Sequence, residues 1–277
     1  MADISAAQVK SLRDRTGLPF GDCKKALQEA NGNEDEAVEL MRKAGKKTME
    51  KRSDRETESG RIAIYTDPKT GTTAMVELLC ESAPVTQNEE FIALVNNMAK
   101  QLATGQGASS MEELLKQTPE GRATTLQQDL DDLMNKIREV FKASRMVRVE
   151  GKSANYLHHN NAVGVIVKIE GAFSELARDI CMHIASMKPK ALKQSDLDPT
   201  VIAKERDVVT EEVKQNNAGK PDNIIEKIVE GKIKAFLAES CLLDQPFVKD
   251  PAKTVAQACK DADMEVLEMI HWVLGKN

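Results

Sequence analysis

The side chains best able to do chemistry in this sequence are a few histidines and cysteines, and their spacing argues against a catalytic or metal centre. His158 and His159 are adjacent. Neighbours on a strand point to opposite faces, so such a pair seldom chelates one metal; an ordinary hydrogen-bonded pair at the end of a turn is the better reading. His183 lies in Cys181-Met182-His183-Ile184-Ala185, a helical stretch. The pattern alone leaves it as either a satisfied surface histidine or a contact to a partner. The five cysteines, Cys23, Cys80, Cys181, Cys241 and Cys259, lie far apart with no paired spacing, which fits reduced, buried thiols of a cytosolic protein. There is no Gly-x-x-x-x-Gly-Lys-Ser/Thr loop, and no glycine-rich turn follows a strand, so the chain itself is not expected to bind a nucleotide. No Ser-His-Asp constellation can be placed, and the carboxylates fall mostly on solvated helix faces. No cofactor, no metal and no enzymatic activity is expected.

The bulk properties point the same way. With 277 residues, 41% of them hydrophobic, the chain has length for about two domains and a real core. Aromatic residues are only 3%, so aliphatic side chains and 12 methionines must fill the interior. Few aromatics and a net charge of -5 argue against binding to single-stranded nucleic acid, phosphate backbones or anionic membranes. The first residues show no basic region followed by an apolar core, and no apolar run is long enough to span a membrane.

The elements follow from periodicity and punctuation. Ser5 caps a first helix on which Val9, Leu12 and Arg13 share a face at helical spacing, and Gly17 is placed to end it. Leu18 to Gly21 form a turn, and Asp22 starts a second helix with Cys23, Ala26 and Leu27 as its stripe. After Asn31-Gly32-Asn33 a third helix runs from Glu34 to Lys43. Residues 45–60 mix bases and acids without an apolar stripe and read as a solvated linker. Arg61–Tyr65 and Thr72–Cys80, joined by Pro68-Lys69-Thr70-Gly71, read as a hairpin. Helices are expected over Asn88–Ala103, Met111–Lys116 and Arg122–Phe141. Strands over Met146–Val149 and Val163–Ile169 and a helix over Ser174–Met187 repeat the theme, as if two related α+β halves were built on antiparallel sheet. Two narrow stripes, Ile202, Val209, Val213 and Ile224, Ile225, Ile228, Val229, Ile233, flank Gly219-Lys220-Pro221 and predict an antiparallel helical hairpin. An extended Asp244–Val248 segment, a helix over Pro251–Lys260 and a final strand or short helix over Val266–Leu274 close the chain.

Four stretches then stand out together: Thr16-Gly17 followed by Asp22-Cys23-Lys24-Lys25-Ala26-Leu27; Cys181–Pro189; Gly219-Lys220-Pro221 with Ile228–Lys232; and Gln245-Pro246-Phe247-Val248. In this order and spacing they closely resemble the elongation factor Ts family, nucleotide-exchange factors of elongation factor Tu. The resemblance covers nearly the whole chain. It implies an α+β protein with an amino-terminal three-helix ubiquitin-associated-like domain, a two-part antiparallel core and a protruding antiparallel helical hairpin. The matching boundaries are 1–45 for the helical domain, 46–60 for a linker, 61–142 and 143–277 for the two core parts, and about 199–237 for the hairpin. It also implies elongation factor Tu as the partner. By position, Arg13, Lys24, His183 and Val248 are the contact residues, with Gly17 and Asp22 supporting the first loop.

One departure matters. Where many family members follow the cysteine matching Cys80 with Thr-Asp-Phe-Val near the partner's magnesium and phosphates, this chain has Ser82-Ala83-Pro84-Val85. The acid and the aromatic wedge are missing, and backbone insertion by a proline-stiffened loop is the available substitute. The implied function is to promote GDP release by disturbing that region and stabilising the nucleotide-free partner. Two competitors are a ubiquitin-associated-type binding module on an unrelated core, which the core stretches oppose, and an RNA-binding translation protein, which the acidic balance opposes.

Overall fold

The computed structural model describes residues 4–52, 54–172, 175–217 and 221–276. They fall into two compact units. One takes the described residues of Met1–Arg148, His159–Ala162 and Val273–Asn277; the other takes those of Val149–His158 and Val163–Trp272.

The first unit opens with three helices, α1 (Ala6–Thr16), α2 (Phe20–Glu29) and α3 (Glu34–Glu50). Ser5 caps α1 in a reciprocal box with Gln8, and Gly17 ends it at φ 70°, its N–H donating to Arg13 O at 2.7 Å; only a residue without a Cβ adopts that φ at no cost. Val9, Leu12, Leu18, Cys23, Ala26, Leu27, Ala37 and Met41 close over one another as a small core. Each fully buried leucine there contributes roughly 1.5–3 kcal/mol of transfer free energy.

Two boundaries differ from expectation here. Helix α2 starts at Phe20, because Pro19 sets the φ of the capping position and frees Phe20 and Gly21 to turn helically. Helix α3 runs past Lys43 to Glu50, through the stretch read as linker. Ala37, Met41, Gly45 and Met49 are all buried at a spacing of four, so the apolar stripe continues. At Gly45 a Cβ would sit 2.6 Å from Asn135 Cγ: the glycine lets α3 approach the neighbouring helix and does not break it.

Strands β1 (Ser59–Thr66) and β2 (Thr73–Cys80) pair antiparallel, Ser59 opposite Cys80 and Thr66 opposite Thr73. Asp67 folds the turn by accepting from Lys69 N–H and Thr70 Oγ–H, and Gly71 takes φ 74°. A 3-10 turn over Ala83–Gln87 leads into α4 (Glu89–Thr104); α5 (Met111–Leu115) and α6 (Leu126–Ile137) follow, then β3 (Phe141–Val149), giving the sheet order β1-β2-β3. Helix α6 is shorter at both ends than expected. Thr125 caps it in a second reciprocal box with Gln128, and Arg138 stops it in the left-handed region at φ 67°. Phe141 thereby enters the strand, and its ring meets Phe91 edge-on at 5.0 Å in the core between α4 and the sheet.

The second unit contains a sheet of β4 (Ser153–Leu157), β5 (Val163–Gly171) and β8 (Met264–Val273), with α7 (Glu175–Met187) packed on β4 and β5. The final apolar run is thus a strand. Strand β4, half polar and short, was not anticipated. Helices α8 (Pro199–Asn216) and α9 (Asp222–Ser240) form the hairpin around Val209, Val213, Val229 and Ile233. Ile224 stays exposed, and Ile202 packs instead with Ala191, Leu197 and Cys241. Ser174, Gly219 and Lys220 lie outside the described residues. Strand β6 (Pro246–Phe247) pairs with β7 (Asp250–Thr254), which takes the first residues of the expected last helix; α10 begins at Val255 on a Thr254 capping box and ends at Asp261. All five cysteines are buried free thiols.

Candidate protein-binding residues

Arg13 and Lys24 are exposed, on α1 and α2. The turn between those helices is firmly built. Thr16 Oγ–H donates to Leu12 O at 2.8 Å, and Cys23 Sγ, fully buried, lies 3.6 Å from Leu18 O. Burial pushes the Cys23 thiol up despite its contact with Thr16, so it is a core group and not a nucleophile. Asp22 pairs with Arg138 at 2.8 Å. Phe20, which sequence reasoning left unremarked inside a turn, is 47% exposed on the first turn of α2. An exposed ring with Lys24 one turn further along the same helix is the composition of a contact surface; an α2 start at Phe20 flags it.

The Ser82–Val85 segment leaves the sheet directly after β2. Ser82 is extended; Pro84 stands in the first turn of the 3-10 element, and Asn88 ends it by capping α4. Val85 is buried in the core of the first unit, while Ala83 and Pro84 are exposed. Arg61 Nη1 donates to Thr86 O at 3.0 Å. Just upstream, burial pushes Glu81 up, but Val140 N–H and Arg55 outweigh it and hold the carboxyl below the usual carboxylate range. Burial, with Glu139 nearby, pushes the Cys80 thiol up to about 12.

His183 is 2% exposed, which corrects the surface-histidine expectation: the residues that cover it arrive some sixty positions later in the chain. Its Nε2 lies 2.8 Å from Gln245 Oε1, and Val248 N–H donates to its Nδ1 at 3.3 Å. Gln245 Nε2 is committed to Glu239 O at 2.5 Å, so Gln245 Oε1 must accept, and the ring is neutral with its proton on Nε2. Burial lowers the imidazole pKa, only partly offset by Gln245. The ring also lies 5.9 Å from that of Phe247. What reaches solvent here is Val248, 51% exposed. His158, by contrast, shares a 2.8 Å hydrogen bond with Tyr156, and no cluster of three metal-ligating side chains occurs among the described residues.

Arg13, Lys24 and the Ser82–Val85 turn belong to the first unit, His183 and Val248 to the second. A family model described as elongation factor TS matches residues 81–276. The elongation factor Ts of Thioalkalivibrio sulfidiphilus is 36% identical over 99% of this chain and 92% of its own length. That of Alkalilimnicola ehrlichii is 38% identical with the same coverage. That of Clostridium acetobutylicum is 37% identical over 92% of this chain and 85% of its own.

The chain belongs to the elongation factor Ts family.

It is therefore a translation elongation factor of α+β fold. Among the described residues no helix is long and apolar enough to cross a membrane. Of the four residues the resemblance implied as contacts, His183 is buried and Arg13, Lys24 and Val248 are exposed. Glu139, which no motif flagged, holds the Ser82 segment from a different element.

Proposed function

We propose that this elongation factor Ts promotes GDP release from elongation factor Tu without chemistry of its own. A protein that binds the nucleotide-free factor more tightly than its GDP form must weaken GDP binding by the same factor. The coupling needs only differential contacts in the two states. The observation that carries the reading is the build of the Ser82–Gln87 turn: Val85 is anchored in the core while Ala83 and Pro84 face outward on a proline-stiffened backbone. Such a turn presents main chain, in place of an acid and an aromatic ring, to the partner's magnesium and phosphate region. Magnesium holds phosphate oxygens through few protein ligands, so a small displacement there weakens the nucleotide.

Arg13, Lys24 and Phe20 supply contacts from the first unit. Val248 supplies one from the second, and His183 acts behind it by holding its backbone N–H. The helical domain 1–45, the two core parts and the hairpin are proposed to act as the resemblance implies, the helical domain and first core part on the partner's nucleotide-binding domain. Release of a fluorescent GDP analogue from cognate factor Tu tests the reading; an unchanged rate at saturating protein overturns it.

A further inference from the structure

We propose that Glu139 is the positioning residue of the exchange turn, an inference that rests on the exchange reading above. Glu139 precedes β3 with only Val140 between, and Ser82 follows β2 with only Glu81 between; β2 and β3 are neighbours in the sheet. Ser82 N–H donates to Glu139 Oε2 at 3.0 Å and Ser82 Oγ–H donates to Glu139 Oε1 at 2.5 Å. In the opposite direction Val140 N–H donates to Glu81 Oε1 at 2.7 Å, and Arg55 Nη1 donates to Glu81 Oε2 at 2.9 Å. Two consecutive residues on each side thus exchange a carboxylate for a backbone N–H.

The exchange acts as a continuation of the β2–β3 pairing by side chains, past the point where the strands end. Hydrogen bonds to an ionised carboxylate are about twice as strong as neutral ones, and this one uses both oxygens on one residue. Beyond Ser82, the turn is fixed again by Val85 in the core and by Thr86 O on Arg61. Ala83 and Pro84 are therefore the exposed span between two fixed points, and Glu139 sets one of them.

The same short connection is tied to the amino-terminal helices. Arg138, in the left-handed region, pairs through Nη2 with Asp22 Oδ2 at 2.8 Å, and its carbonyl accepts from Arg52 Nη1 at 3.1 Å. Residues 138–140 thereby hold both the start of α2 and the exchange turn. A segment that presents a rigid wedge needs such support, because looseness in the support is looseness in the wedge.

The test uses the full chain with Glu139→Ala and the near-isosteric Glu139→Gln, and two readouts: amide hydrogen exchange on the free protein, and GDP release from cognate factor Tu together with affinity for its nucleotide-free form. Glu139→Ala is expected to speed exchange of the Ser82 amide about tenfold or more while the β1–β2 amides stay protected. It is expected to lower the saturating release rate about tenfold with affinity changed less than about threefold. Glu139→Gln, which keeps one acceptor oxygen, falls between. An unmoved Ser82 amide, or a loosened turn with an undiminished release rate, overturns the assignment. If Glu139→Ala also loosens β1–β2, the Gln variant decides on the same two criteria. A parent protein that fails to speed GDP release overturns the exchange reading instead, and the amide readout on the free chain still judges whether Glu139 holds the turn.

Discussion

Replacing His183 with alanine removes the acceptor for Val248 N–H and the donor to Gln245 Oε1, and leaves a hole where the ring stood. Gln245 is buried, so its oxygen is left without a partner; the N–H of the exposed Val248 recovers part of its loss from water. One orphaned buried acceptor and a ring-sized cavity together cost about 2–4 kcal/mol. The sign of the pH dependence is equally constrained. Burial holds the folded-state pKa of His183 below its ordinary value of 6.5. The neutral ring's contribution is therefore complete above pH 6.5 and is lost as pH falls from there through the folded value. In that window the unfolded chain carries the extra proton, and stability drops by up to about 1.4 kcal/mol per pH unit. Protonation at Nδ1 also sets a donor against the Val248 N–H.

Trp272 is the chain's only tryptophan and lies on β8 in the same unit, so its fluorescence during urea unfolding reports the relevant transition. Burial and Lys188 lower the pKa of His271 too, so the quantity to compare is parent minus variant across pH 5 to 8. The difference is expected to shrink as the pH falls. A loss under about 1 kcal/mol at pH 7.5, or a parent-minus-variant difference that does not change with pH, refutes the hydrogen-bonded neutral ring.

Three further outcomes follow from the same geometry. Arg13→Ala is expected to weaken complex formation with factor Tu while the thermal midpoint stays put, because an exposed cation is removed and no cavity opens; parental affinity by titration calorimetry contradicts this. Cys23→Ser is expected to lower stability by about 1–2 kcal/mol, since the side chain is fully buried and a hydroxyl there pays more desolvation than a thiol; a variant of parental stability in urea places the group outside the core. Pro84→Gly is expected to reduce the GDP-release rate more than the affinity for nucleotide-free factor Tu, because the turn loses its stiffening residue; equal rates make the turn a bystander and leave exchange to the other contacts.

The elements that rest on local chemistry could be read from the sequence: Ser5 and Gly17 bracket α1 by side-chain cap and φ > 0, and the Pro68–Gly71 turn closes its hairpin. Reading failed where a distant partner decides. The stretch from Gly45 reads as a linker by its mixed charges, yet α3 runs through it to Glu50, because Gly45 and Met49 continue the buried stripe and the missing Cβ at Gly45 leaves room for Asn135. Arg138 carries no turn signal of its own, yet ends α6 and hands Phe141 to β3. Strand β4 lacks the β-branched run that marks a strand, and pairs because β5 lies beside it. The contact residues fared likewise. Lys24 is exposed beside the Cys23–Ala26–Leu27 stripe as the spacing implies, and Arg13 is exposed although the spacing groups it with the buried Val9 and Leu12, whereas the burial of His183 comes from Gln245 and Phe247, far along the chain. Glu139 was invisible for the same reason: its role exists only across two neighbouring strands.

The most direct test of the account is the rate of release of a fluorescent GDP analogue from cognate elongation factor Tu as this protein is titrated in. The account predicts a rate that rises to a plateau well above the spontaneous one, with no GTP hydrolysis by this chain alone. A rate that stays at the spontaneous value when the protein is saturating contradicts it.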